Sequence, residues 1–172
     1  RTLLIIAVCV PIEFFLGLML ATLFVDDFPG KRVAYSILIA PMMVVPAVAG
    51  YMFFMLFQSG GPVNDILSWF TAEPVTMAWL SQPNTALIAV MVADIWQWTP
   101  LMFLILLAGL VGVPEDQMKA ASLLGAGPVQ RFFTIVIPRM KTIMIIALSI
   151  RVIECLKIFD TLYIMTGGGP AG

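Results

Sequence analysis

Six ionisable side chains stand inside otherwise apolar stretches of this sequence: Glu13, Asp94, Arg151, Glu154, Lys157 and Asp160. At the centre of a membrane-spanning helix each such group costs at least ~2.5–3.5 kcal/mol to insert, so it must face a protein interior or a wet cavity. From Arg151 onward the signs alternate at steps of three (Arg151, Glu154, Lys157, Asp160), a spacing at which neighbours on one helix can pair. Such a ladder can be structural, neutralising itself so that a polar stripe inserts. It can equally line a path, where Asp94, Arg151, Glu154 and Asp160 would hydrogen-bond a hydroxylated solute. Trp96 and Trp98 lie beside Asp94 and could stack on sugar C–H faces. The alternative for them, and for Trp69 and Trp79, is the aromatic belt at a membrane surface. Asp94 and Asp160 form the one plausible acid pair for an intramembrane enzyme, but no recognisable motif flanks them. Histidine is absent, which removes the usual general base at neutral pH and the commonest metal ligand. Cys9 and Cys155 sit in apolar runs and read as small hydrophobes rather than a disulfide or metal pair. No catalytic or metal residue is assigned.

The elements that must carry these groups follow from composition. Of 172 residues, 61% are hydrophobic and 11% charged, with a mean hydropathy of +1.04. Average soluble domains carry about 25% charged residues, so one water-soluble core of this size cannot hide so much apolar surface. A net charge of −1 advertises no nucleic-acid surface. The expectation is an all-α, polytopic helical membrane protein, a single domain over residues 1–172. Four runs approach the roughly 20 residues a bilayer requires: Leu3–Val25, Val33–Phe57, Thr85–Val111 and Met140–Met165. Pro41 and Pro46 predict a kink in the second, and Asn84 is placed to cap the third. Asn64 is placed to cap a short helix in the loop after the second run. The start at Arg1 and the turn-rich run Gly167–Gly172 predict a piece of a longer chain.

Lysine and arginine set the orientation. Lys31, Arg32, Lys119, Arg131, Arg139 and Lys141 fall on one side, whereas the loop 58–83 holds Asp65 and Glu73 with no basic residue. The Lys31 and Lys119 loops are therefore expected in the cytoplasm. In the latter, 112–139, Pro114, Glu115 and Asp116 suit a helix start. Met118, Ala121 and Leu124 are expected to share one face, and Gly125 to stop the helix in a left-handed turn. Pro128 can open a second helix, with Pro138 marking entry to the last span. A short helix, a glycine hinge and a second helix with paired alanines would plug a partner's groove; an ordinary linker is the plainer alternative.

Lys119-Ala120-Ala121, then Leu124-Gly125-Ala126, then Phe132, Ile135, Ile137 and Pro138 resemble the Glu-Ala-Ala loop of the permease subunits of binding-protein-dependent ABC importers. Lys119 and Leu124 stand where that family places a glutamate and an aspartate. The stretch Trp96-Gln97-Trp98-Thr99-Pro100 and the ending Phe159-Asp160 with Thr166-Gly167-Gly168-Gly169-Pro170 resemble the flanking spans of its sugar-type branch. The resemblance implies the type I permease fold, with four of about six core transmembrane helices here, in a bacterial-type inner membrane among lipid. It assigns coupling to an ATPase to Lys119, Ala120, Ala121, Leu124, Gly125, Ala126 and Pro138. It further implies a second permease subunit, two ATPase subunits, an external solute-binding protein, and a sugar or related polyol as solute. This chain would hold no cofactor, since ATP and Mg would sit on the ATPases, and no Gly-x-x-x-x-Gly-Lys-[Ser/Thr] loop occurs here. The rivals are an ion-coupled carrier or channel, which usually shows internal repeats that this sequence lacks, and an intramembrane enzyme.

Overall fold

Prolines and glycines decide where this apolar chain turns. In the computed structural model, which describes residues 2–71, 76–157 and 160–167, the described residues are helical with short connections. The order is α1 (Thr2–Val25), α2 (Lys31–Met43), α3 (Pro46–Leu56), α4 (Pro62–Thr71), α5 (Pro83–Val111), α6 (Glu115–Leu123), α7 (Pro128–Arg131), α8 (Ile137–Leu156) and α9 (Asp160–Thr166), with a π-helical segment Phe132–Val136 between α7 and α8.

Pro11 and Pro100 lie inside α1 and α5 without ending them. Pro46 does more. A residue before proline is pushed out of the helical region, and both Val44 and Val45 are extended. The expected kinked span is consequently two helices bent by 97°. Side chains from elsewhere in the bundle tie down the bend: Gln97 Nε2 donates to the Val44 carbonyl at 2.8 Å and Thr161 Oγ1 to that of Pro46 at 3.4 Å. Counting that broken pair as one span gives four crossings, with Thr2–Val25, Pro83–Val111 and Pro128–Leu156 long and apolar enough alone.

The last span departs from its expected limits. Helix runs unbroken from Pro128 to Leu156, so Pro138 does not separate a loop helix from a membrane helix. Proline cannot donate to the turn before it, and the π segment absorbs this, with Ile137 N–H reaching back five residues to the Phe132 carbonyl. The helix then ends at Leu156, well before Met165, and α9 is a separate piece. Two capping expectations also change. Gln82 occupies the α5 N-cap without a side-chain bond and Pro83, not Asn84, opens the helix. Asn64 lies inside α4, which starts at Pro62.

α5 is the centre of the bundle. One cluster joins Ile5, Cys9 and Val10 of α1 to Met102, Ala147 and Cys155. A second joins Ala21 and Phe24 to Phe103, Leu106, Val136 and Met140. A third packs Phe53 and Phe57 with Ala89, Val90, Ala93 and Met165. Gly17 allows α1 to lie directly on α5: a Cβ there would stand 2.8 Å from Met102 Cβ and 2.9 Å from the Phe103 nitrogen. Small residues at such contacts are how helices gain van der Waals packing in lipid. Cys9 and Cys155 are buried and not joined to each other; beyond packing in the apolar cluster, Cys9 Sγ donates to the Met91 carbonyl at 3.9 Å and Cys155 Sγ to Asp94 Oδ2 at 4.0 Å.

Candidate functional site

Two places gather the residues singled out by sequence: a charged node inside the bundle and an exposed helical loop at one end. The node is built by three helices. α8 supplies Arg151, α1 Glu13 and α5 Asp94, at 1%, 0% and 3% exposure. Arg151 grips Glu13 with a two-pronged fork, Nε to Oε2 and Nη2 to Oε1, the latter at 2.9 Å. The same Nη2 donates to Asp94 Oδ2. Trp98 covers the guanidinium, its ring centroid 5.2 Å from Cζ, close enough for a cation–π attraction. Planar bidentate pairing suits arginine. Removing one partner from so closed a site strands a charge at a cost of about 3–5 kcal/mol.

This overturns the pairing of Arg151 with Glu154 along their own helix. Arg151 points into the α1–α5 seam, where two carboxylates meet it, while Glu154 one turn on is only half-buried and pairs with Lys157 at 3.4 Å. The four candidate path residues therefore do not share one surface. Asp94 and Arg151 are together, Glu154 is apart, and the side chain of Asp160 lies outside the described residues, as do Glu73, Phe159 and Gly168–Pro170. Glu13 belongs to the node although the sequence reading left it out of the path residues. Its signal was present: it is the lone charge in Thr2–Val25, as Asp94 is in Pro83–Val111.

The tryptophans split. Trp69 is exposed, in keeping with a belt. Trp79 is turned inward, its indole N–H donating to Asn64 Oδ1 at 2.8 Å and its ring set edge-on to Phe57. Asn64 Nδ2 in turn donates to the carbonyls of Ser59 and Met77 at 2.9 and 3.0 Å, so this asparagine pins the loop rather than capping a helix. Trp96 packs edge-on to Phe53, and Trp98 is engaged with Arg151. Both are half-buried against other side chains rather than fully exposed.

At the opposite end, α6 closes in the left-handed turn expected at Gly125, with φ +83°. Gly125 N–H bonds the Ser122 carbonyl and Ala126 N–H that of Ala121, the two reverse bonds of a Schellman stop. Gly127 then precedes Pro128, which opens α7. Lys119 sits one turn after Glu115 and bonds it at 2.7 Å, an order favourable to a helix. That bond holds the Glu115 carboxyl below its ordinary range. The expected stripe of Met118, Ala121 and Leu124 is not one face. Six residues turn a helix by about 600°, so Leu124 is rotated a third of a turn from Met118. Met118 packs back onto the bundle with Phe24, Leu110 and Phe132, Ala121 is half-buried, and Leu123 and Leu124 stand out at 88% exposure each. Beneath α6 lies a cleft of about 370 Å³ lined in part by Val25, Leu110, Met118 and Phe132. Arg131 bridges loop and rod, Nη1 donating to the Met118 carbonyl at 3.5 Å. Sequence reasoning noted it only as a basic residue.

Known proteins share the family and the fold of this chain. The sequence profile of the family "binding-protein-dependent transport system inner membrane component" matches residues 13–172. The trehalose/maltose transport system permease protein MalF of Thermococcus litoralis is 38% identical over 166 residues, covering 96% of this chain and 56% of that protein. The chain thus spans a little over half the length of that relative. A bacterial ABC transporter involved in import of the acidic polysaccharide alginate superposes with a TM-score of 0.79 at 18% identity, over 95% of this chain and 61% of that one. A second structure, of a bacterial alginate ABC transporter in complex with an alginate pentasaccharide-bound periplasmic protein, gives 0.77 at 20% identity, over 95% and 60%. At these identities the two structures speak for the fold.

Proposed function

The chain belongs to the family of inner membrane components of binding-protein-dependent transport systems, and on that premise we propose that it is permease material of an ATP-driven importer for a sugar or related polyol. It is an integral membrane protein. In this reading it forms part of the solute path, performs no covalent chemistry and draws on ATP hydrolysed by two separate subunits. A second permease subunit and an external solute-binding protein complete the assembly, in a bacterial-type plasma membrane with the Lys119 loop in the cytoplasm. The relative from Thermococcus litoralis, a trehalose/maltose permease 38% identical to this chain, supports a hydroxylated solute.

The observation that carries the proposal is the loop from Glu115 to Pro138. A short helix with a Schellman stop presents Leu123 and Leu124 to the outside, and the following rod runs unbroken into the membrane. Exposed leucines on a charged, water-facing loop suit burial in a partner's groove. Lys119, Ala120, Ala121, Leu124, Gly125 and Ala126 would meet the ATPase, and Pro138 would set the start of the membrane-embedded rod. The loop would be displaced when the ATPases close, a rigid-body transition of the hinge kind.

The experiment is Ala121→Trp in the full-length permease with its ATPase and binding protein. Overpacking an interface costs about 1–3 kcal/mol, or about 5- to 150-fold in affinity for the ATPase subunit. Uptake and binding-protein-stimulated ATP hydrolysis are expected to fall together while membrane insertion is unchanged. Normal transport and ATPase rates in that variant would make the loop a linker and remove the main support for the importer reading.

A further inference from the structure

The rod from Pro128 to Leu156 is the direct continuation of the exposed loop, and it touches the rest of the bundle sparingly. Met140, Ala147, Arg151 and Cys155 are buried along one narrow side, while Ile145, Ile146, Ile150 and Ile153 are bare. Among the described residues, the ion pairs from this rod to α1 and α5 all come from Arg151, and Cys155 Sγ adds a long hydrogen bond to Asp94 Oδ2 at 4.0 Å. From Arg131, which holds α6, to Arg151 is 20 residues, or ~30 Å of helix. Apolar contact is non-directional and lets helices slide. A planar guanidinium gripped by carboxylates from two different helices, with an indole over its face, fixes both position and rotation.

We propose that Arg151 is the positioning residue of the transport cycle, the pivot on which the rod turns when the loop is displaced. Glu13 and Asp94 are the two jaws of its bearing. Displacement of α6 at one end then becomes a swing of α8 about Arg151, rather than a translation lost along a smooth apolar seam. This rests on the reading of the loop as the coupling element.

The test measures solute imported per ATP hydrolysed by the complete transporter in proteoliposomes, for Arg151→Lys, Arg151→Gln and the triple change Glu13→Met, Asp94→Leu, Arg151→Met. The triple replaces the buried charges by apolar groups, an exchange that often leaves stability equal or raised. It is expected to assemble at wild-type levels and to hydrolyse ATP, with the ratio of solute to ATP down at least tenfold and stimulation by binding protein lost. Arg151→Lys keeps the charge but not the fork, and the ratio should fall at least threefold. A wild-type ratio in Arg151→Lys overturns the pivot, and it decides alone should the other two fail to assemble. An unchanged ratio with a higher solute concentration for half-maximal uptake overturns it as well, making Arg151 a solute contact. Failure of the loop reading shows separately, as normal transport in Ala121→Trp.

Discussion

α5 and the rod from Pro128 to Leu156 are matched in length at 29 residues each, and both are apolar enough to cross a bilayer, yet 50% of the former's most hydrophobic stretch is buried and 17% of the latter's. α5 meets α1, α2, α3, α8 and α9 and is held by shape, with Gly17 of α1 set against its backbone. The rod is held by one polar node and a narrow apolar edge. Hydropathy cannot separate the two, because lipid and protein interior reward the same side chains. What separates them is where small residues allow contact and where charges need partners. A span fixed by many close contacts is a frame; the rod, fixed by one node and a narrow edge, is the arrangement the proposed pivot requires.

Gly17→Val should break the frame. Its added carbons would collide with Met102 Cβ and the Phe103 backbone, neither of which is a flexible side-chain end. A loss of about 3 kcal/mol, at the upper end of overpacking effects, is expected as a lowered melting midpoint of the purified permease in detergent. Equal midpoints for variant and parent would mean that α1 and α5 are not in this close contact.

The joint between α5 and the rod should be more forgiving. A methyl at Gly109 would meet Met140 Cε and the branches of Ile143 at 3.1–3.2 Å, and those side-chain ends can swing away. Gly109→Ala should cost under about 1 kcal/mol in the same melting assay. A loss as large as that of Gly17→Val would show the rod to be as rigidly seated as α5, erasing the contrast between them.

Ile150→Ala should do least. Its side chain is exposed in this chain, so truncation leaves no internal cavity and the midpoint should move by about 0.5 kcal/mol or less. A drop of about 2 kcal/mol or more, the range of cavity-forming changes, would show that this face is covered in the purified protein.

Much of the fold was legible because it depends on neighbours in sequence. Pro46 announced its bend, since a proline restricts the residue just before it. Gly125 announced the end of α6, because a left-handed turn without a Cβ penalty needs glycine. Where the sequence misled, the deciding contact was distant. Arg151, Glu154 and Lys157 share a helix at steps of three, which pointed to pairs along it; Arg151 instead took partners 138 and 57 residues away. Asn64 read as a cap because caps are local, whereas its side chain closes a loop to Met77 and Trp79. The lone acids of α1 and α5 were the clue to the node: a span with one charge asks for an opposite charge from another span.

That separation along the chain has a consequence in time. A polypeptide is made from its N-terminus at about 5–20 residues per second, and Arg151 follows Glu13 by 138 residues. For ~7–28 s at those rates, α1 exists with its acid before the guanidinium that will clasp it has been synthesised. Asp94 arrives in the interval and brings a second negative charge to the same place. Biogenesis therefore passes through a stage in which two acids await one base, and the helix that carries Arg151 then closes on the two that carry Glu13 and Asp94.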